Sequence, residues 1–350
     1  MTSTAATTCH SKVERPNSQV SSAAPHMVPA TIRNDWTKEE VAQIFHSPLM
    51  ELIYQAATVH RQYHNPKAVQ QCTLLSIKTG ACPEDCAYCP QSAHYKTSVE
   101  PEKLMNPDAV YMAAKIARDN GSTRFCMGAA WREVKDNAQF EEVLEMVRRV
   151  GSLGMEVCVT LGMLQPEQAK QLKEAGLTAY NHNLDTGQDY YEQIITTRTY
   201  QDRLDTLKNV RDSGISVCCG GIIGMGETSQ DRIDLLHTLA TLPEHPESVP
   251  VNALVAVEGT PLAEQPPVQI WEMLRMIATA RIIMPQAMVR LSAGRVSMSV
   301  SEQALCFMAG ANSIFTGEKL LTTANCDFDE DQSMFDMLGL QKFSPKSCCE

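Results

Sequence analysis

The stretch CPEDCAYCPQS, from Cys82 to Ser92, holds three cysteines, Cys82, Cys86 and Cys89, in the spacing Cys-x3-Cys-x2-Cys. Thiols so close together in a turn-forming loop suggest metal-ligand chemistry, because a tight loop can aim several sulfurs at one centre and the thiolate is the ligating form. A structural zinc takes four tetrahedral donors. A zinc reading must therefore recruit a fourth, and His94 is the candidate nearby. A [4Fe–4S] cluster normally takes four thiolates. Three leave one iron open, and an open metal position can bind a substrate.

Further residues of the same character recur along the chain. Cys126, Cys158, Cys218 and Cys219 lie in short apolar runs, Asn181, Asn183 and Asp185 end another, and Asn252 and Arg290 sit in two more. One such residue in a buried strand is ordinary. A series of them implies a shared cavity, because unpaired polar groups in a core are costly. Cys72 and Cys306 also lie in apolar runs, and read as small buried hydrophobes.

The elements that must position these residues follow from the pattern of apolar runs. CTLLSI at 72, TRFCMGA at 123, MEVCVTL at 155, LTAYNHNL at 177, ISVCCGGIIG at 215, VPVNALVAV at 249, MVRLSAG at 288 and ANSIFTG at 311 read as eight short strands. Amphipathic segments of helical length, such as QFEEVLEMVRRVGSLG, lie between most of them. That alternation predicts right-handed βαβ units and a parallel sheet. Eight units predict a closed (β/α)8 TIM-type barrel, whose active site lies where the strands end. An open doubly wound sheet is the alternative. A helical segment precedes the first strand and opens with a capping box, Thr37 with Glu40.

The chain has 350 residues, 43% of them hydrophobic, and a net charge of −11. The negative balance argues against a nucleic-acid surface. No run of 18 uninterrupted apolar residues predicts a membrane span. Thirteen cysteines without a secretory signal point to a reducing compartment with some thiols used as metal ligands.

Cys-x3-Cys-x2-Cys after a first strand resembles the signature of the radical S-adenosylmethionine (SAM) enzymes. Six ordered blocks narrow the resemblance: TGACPEDCAYCPQSAHY, RFCMGAAWR, YNHNLDT, CGGIIGMGET, VRLSAGR and CFMAGANSIF. Together they are similar to the biotin synthase family, from about residue 36 to 325. The resemblance implies a [4Fe–4S] cluster on Cys82, Cys86 and Cys89, with SAM chelated at the open iron and cleaved to a 5′-deoxyadenosyl radical. Tyr88, Asn183, Asp185, Arg203 and Gly224 match positions contacting SAM. Read alone, Tyr88 is a packing residue and Arg203 a helix-surface charge, and the glycines of GGIIGMGE would let a flat ring approach the backbone.

The same resemblance implies a [2Fe–2S] cluster on Cys126, Cys158, Cys218 and Arg290. From chemistry alone Arg290 reads as an anion clamp, a role for which Arg295 competes. Cys219 beside Cys218 leaves a one-residue ambiguity; strand alternation sends the two to opposite faces, and the family pattern selects Cys218. Asn181, Asn252, Thr322 and Thr323 match positions contacting dethiobiotin, with loop capping the alternative for the threonines. The implied reaction is sulfur insertion into dethiobiotin to give biotin. A flavodoxin- or ferredoxin-like electron donor and a homodimer are implied with it.

The expected organisation is a disordered tail over 1–34, a helical extension over 35–71, the barrel over 72–325 and a C-terminal tail over 326–350. The expected location is cytoplasmic. The first 34 residues carry one acid, Glu14, against Lys12, Arg15 and Arg33, so organelle import stays open. Two other readings remain at this point: another radical SAM enzyme, such as one maturing a metallocofactor, and a metal-stabilised binding protein.

Overall fold

The computed structural model describes residues 32–344. Most of the tail expected over 1–34 lies outside these residues, as do Cys348 and Cys349. The chain enters through α1 (Lys38–Phe45) and α2 (Leu49–Tyr63). The expected Thr37–Glu40 capping box is formed at the start of α1.

Nine strands then build the barrel: β1 (Ala68–Lys78), β2 (Arg124–Ala129), β3 (Glu156–Thr160), β4 (Ala179–Asn181), β5 (Ser216–Cys218), β6 (Gly221–Ile223), β7 (Ser248–Ala253), β8 (Met288–Leu291) and β9 (Ser313–Phe315). All pair in parallel, and β9 returns to β1, so the sheet closes. β5 and β6 both pair with β7 and form one broken stave, giving the eight staves expected. The break is steric. A Cβ on Gly220 would stand 1.9 Å from the Pro250 carbonyl oxygen, and one on Gly221 would stand 2.7 Å from that of Asp185. These glycines admit the protein's own backbone at the break.

Between the staves run α3 (Pro107–Asp119), α4 (Ala138–Gly151), α5 (Pro166–Glu174), α6 (Gln188–Ile194), α7 (Tyr200–Asp212), α8 (Ser229–Ala240), α9 (Ile270–Ile283) and α10 (Val300–Met308). Five of them are capped at their starts by side chains, of Asn106, Asn137, Thr199, Thr228 and Ser299. The main apolar core lies between this helical layer and the sheet.

Inside the barrel the packing differs. Its apolar cluster is Cys72, Cys126, Cys158, Ala179, Cys218 and Phe315, with Leu74 and Leu320 against it. An ordinary barrel of this type is filled by layers of Val, Ile and Leu. Small and sulfur-bearing side chains leave that volume open.

After β9 the chain forms a hairpin of β10 (Lys319–Leu320) and β11 (Thr323–Ala324), with Leu321 at a φ of 57° in its turn. The segment expected as a C-terminal tail contains α11 (Phe328–Leu338) and β12 (Gln341–Lys342), which pairs with the start of β1. Its order comes from a partner distant in sequence: buried Asp331 meets Arg295, itself fully buried and also bonded to Gln303 and the Phe315 carbonyl.

Where α2 packs on α9, His60 is buried with its ring 5.5 Å from that of His64. Burial, with Arg281 nearby, pushes His60 down to about 3. A histidine kept neutral by the fold contributes stability that is full above its unfolded pKa and is lost as pH falls towards the folded one. From pH 7 to pH 5 that loss is about 2 kcal/mol. Thermal unfolding of His60→Leu is expected to show a smaller drop in Tm across this interval than the parent chain.

Candidate functional site

Past β1, the chain turns through Gly80 and Ala81, at φ of 69° and 52°, into the three-cysteine loop. Backbone bonds hold the loop shut. Cys82 N donates to Gln91 O at 2.9 Å, Ala93 N to Cys82 O at 2.7 Å, and Cys89 N to Cys86 O at 2.9 Å. Ser92 Oγ donates to Glu84 O at 2.6 Å. Asp85 ties the loop to the turn before α7 by accepting from Thr196 N at 3.0 Å and Thr197 N at 3.2 Å. Burial alone would raise Asp85, but these donations from Thr196 and Thr197 outweigh it and set the carboxyl down to about 2.

The three thiols line one cavity of about 310 Å³. Burial pushes Cys86 up to about 11 and Cys89 up to about 12, and raises Cys82 as well. Left to themselves they are thiols; a metal that takes the proton's place makes them ligands. His94, the fourth donor zinc would need, is exposed and bonds the Pro83 carbonyl at 3.1 Å. Among the described residues no three His, Cys, Asp or Glu side chains form a site for a metal ion. A single zinc needs all its sulfurs about 2.3 Å from one point, whereas a cluster spreads its ligands over several irons.

Opposite the loop, the end of β4 presents a charged pair. Asp185, buried and at a φ of 68°, meets buried Arg203 of α7 and accepts from the Tyr88 hydroxyl at 2.9 Å. Arg203 also donates to Asn183 O at 2.6 Å and to the Tyr191 hydroxyl at 2.9 Å. Arg203 is thus no helix-surface charge. Removing one partner of a buried pair strands the other, at about 3–5 kcal/mol. Asp185→Ala is expected to lose that much stability in urea unfolding, whatever else it does.

Deeper in the barrel, Cys126, Cys158 and Cys218 face inward from three staves and line the same cavity. The Cys158 thiol interacts with both of the others and is raised by them and by burial, while Cys126 and Cys218 are lowered by Cys158 and by the facing Arg290. Arg290 is fully buried, with Nη1 3.7 Å from Cys218 Sγ and Nε donating to Ser313 Oγ at 3.0 Å. Cys219 points into the outer core and Cys218 into the barrel, so the two neighbours face opposite ways as strand alternation predicts. Arg295 does not line the cavity. Two buried side-chain atoms, Arg124 Nη1 beside the strand thiols and Nε2 of cavity-lining His182, have no hydrogen-bond partner among the described residues. Three inward thiols beside open volume, faced by the buried Arg290, fit a metal–sulfur group.

Asn181 reaches into the cavity with Nδ2 3.3 Å from Cys218 Sγ and Oδ1 accepting from Thr160 at 3.2 Å. Asn252 lines it too, with bonds to Gly221 O at 2.9 Å and Ala293 N at 3.2 Å. Thr322 and Thr323 come in from the hairpin; Thr323 Oγ1 caps Leu320 O at 3.2 Å. Gly224 is the one expected site residue that does not line the cavity. Its φ is 93°, and its N–H donates to Glu227 at 2.9 Å, so it shapes the turn after β6. Missed from sequence were Leu321 over the mouth, His182 in the cavity lining, and Cys72, whose Sγ lies 3.3 Å from Arg290 Nη2.

Residues 76–239 match the Radical SAM superfamily and residues 250–341 the Biotin and Thiamin Synthesis associated domain. The chain is 66% identical over 310 residues to a biotin synthase of Cytophaga hutchinsonii, across 89% of this chain and 92% of that one. It is 65% identical over 309 residues to the mitochondrial biotin synthase of Arabidopsis thaliana, across 88% and 82%. In fold it is similar to methylornithine synthase, with a TM-score of 0.74 at 17% identity, covering 88% of this chain and 94% of that one. The FeFe-hydrogenase maturase HydG of Carboxydothermus hydrogenoformans gives 0.76 at 15% identity, covering 89% and 77%.

Proposed function

The chain belongs to the biotin synthase family, and we propose from that premise that the cavity inserts sulfur into dethiobiotin to form biotin. It is a sulfurtransferase of the radical SAM superfamily. One observation carries the assignment of this chemistry to the cavity: the loop thiols and the strand thiols open on the same space. A reaction that needs both a radical and a sulfur atom needs two such sets within reach of one substrate.

Cys82, Cys86 and Cys89 would hold the [4Fe–4S] cluster. When bound there with SAM, that cluster supplies an electron and hence a carbon radical able to take hydrogen from saturated carbon. Tyr88 and Asp185 would border the nucleoside, Asn183 would offer an amide, and Arg203 would hold Asp185 in place. Gly224 would act through the turn it makes. Cys126, Cys158, Cys218 and Arg290 would hold a [2Fe–2S] cluster, which supplies the sulfur. Asn181, Asn252, Thr322 and Thr323 would hold dethiobiotin, since amides and hydroxyls bond a ureido ring without adding strong charge. The hairpin would shed water from the mouth.

We place the barrel at 72–325, the helical extension at 35–71 and a C-terminal extension at 326–350, with 1–34 as a tail. A flavodoxin- or ferredoxin-like donor and a homodimer follow from the family. No helix among the described residues is long and apolar enough to cross a membrane. The Arabidopsis relative is named as mitochondrial. Import of a reporter fused behind residues 1–34 decides between cytoplasm and organelle.

Anaerobic incubation of the reconstituted chain with SAM, reductant and dethiobiotin tests the proposal. Biotin is the expected product. Reductive SAM cleavage with no biotin would favour a maturase-type relative, and a chain that binds one zinc and no sulfide would end the enzymatic assignment.

A further inference from the structure

The barrel interior carries four thiols, not three. Cys72, from the middle of β1, is fully buried and clusters with Cys126, Cys158 and Cys218. Its surroundings are not those of a small hydrophobe. Arg290 Nη2 points at Cys72 Sγ from 3.3 Å, and Ser313 Oγ lies 3.7 Å from the same sulfur. The other nitrogen, Nη1, faces Cys218 Sγ at 3.7 Å. The guanidinium therefore stands between two sulfurs. Cys72 itself does not line the cavity, whereas Arg290, which contacts it, does.

Two general facts bear on this arrangement. A [2Fe–2S] cluster takes four thiolates as a rule. A guanidinium offers five donors and no acceptor lone pair, so it must give up a proton before it can ligate. Four thiols in one ring match the usual number, and the fourth contacts the unusual ligand.

We propose that Cys72 is an alternative fourth ligand of the second cluster, taking the corner that Arg290 faces when the guanidinium withdraws. The exchange balances without an oxidant or reductant. A bond from iron to a neutral guanidine nitrogen breaks, a bond from iron to sulfur forms, and the thiol proton passes to the guanidine across their contact. The proposal rests on Cys126, Cys158 and Cys218 holding a [2Fe–2S] cluster.

The test uses the full chain, reconstituted anaerobically with iron and sulfide. Iron and acid-labile sulfide are counted, and loss of the second cluster to an iron chelator is timed. Arg290→Leu and Cys72→Ser are each expected to retain the cluster. The Cys72→Ser/Arg290→Leu pair is expected to lose it at least tenfold faster than Arg290→Leu alone. Equal rates for these two would overturn the proposal. Mössbauer spectra of Arg290→Leu answer independently, even if the double variant does not fold. Two equivalent thiolate-bound irons support Cys72 as the ligand, and an unequal pair rejects it. A chain with Cys126, Cys158 and Cys218 all replaced by Ala separates the two levels: if it keeps a second cluster, the underlying assignment fails, whatever the double variant does.

Discussion

Cys86→Ala is expected to bring reductive cleavage of SAM to background, a fall of about 10³-fold or more, as when one member of a catalytic unit is removed. The thiol is buried at the cavity wall, between Cys82 and Cys89 in a loop of fixed shape. Two remaining thiols cannot satisfy a cluster that already lacks one protein ligand. The loop should outlast the change, because its closure depends on backbone bonds from Cys82, Ala93 and Cys89 and on Asp85, none of which uses the Cys86 sulfur. Loss of activity should therefore come with loss of iron and with little change in thermal unfolding. The decisive measurement is 5′-deoxyadenosine formed per chain alongside iron per chain. Undiminished 5′-deoxyadenosine would remove the loop from the chemistry.

The barrel was legible because its signals are local. Eight short apolar runs separated by helical periods leave few topologies, and the Thr37–Glu40 capping box marks the start of α1. The loop thiols were legible because they are close in sequence. Arg203 was not. It lies in the polar run TYQDRLDTL, and only Asp185, Asn183 and Tyr191, brought in by other elements, bury it. Cys72 was hidden for a different reason. A stave of a parallel barrel is buried on both faces, so its run of apolar residues gives no alternation to say which side points inward. Register supplies that information: Cys72 pairs with Phe315 and Cys126 with Cys158. The fold of 326–344 was missed because its order depends on the ion pair between Asp331 and Arg295, which no local pattern announces.

Cys158→Ala is expected to divide the reaction in two. SAM cleavage should continue, at a reduced level, while biotin formation falls to background. The division follows from position. The loop thiols follow the end of β1, whereas Cys158 lies within β3, pairs with Ala179, and interacts with the thiols of Cys126 and Cys218 on either side. Alanine there removes the middle sulfur of the strand set and touches no bond that closes the loop. Lost packing should cost only about 1 kcal/mol, as for a buried group of that size. A purely structural cysteine would behave otherwise: the chain would lose some stability and keep both its iron and its product. Single-turnover assays that quantify 5′-deoxyadenosine and biotin together separate the cases. Loading the strand site with heavy sulfur adds a readout that no mutant can mimic. Biotin from the first turnover of the parent chain should carry the label. Unlabelled biotin would show that the sulfur comes from elsewhere, even if Cys158→Ala is inactive.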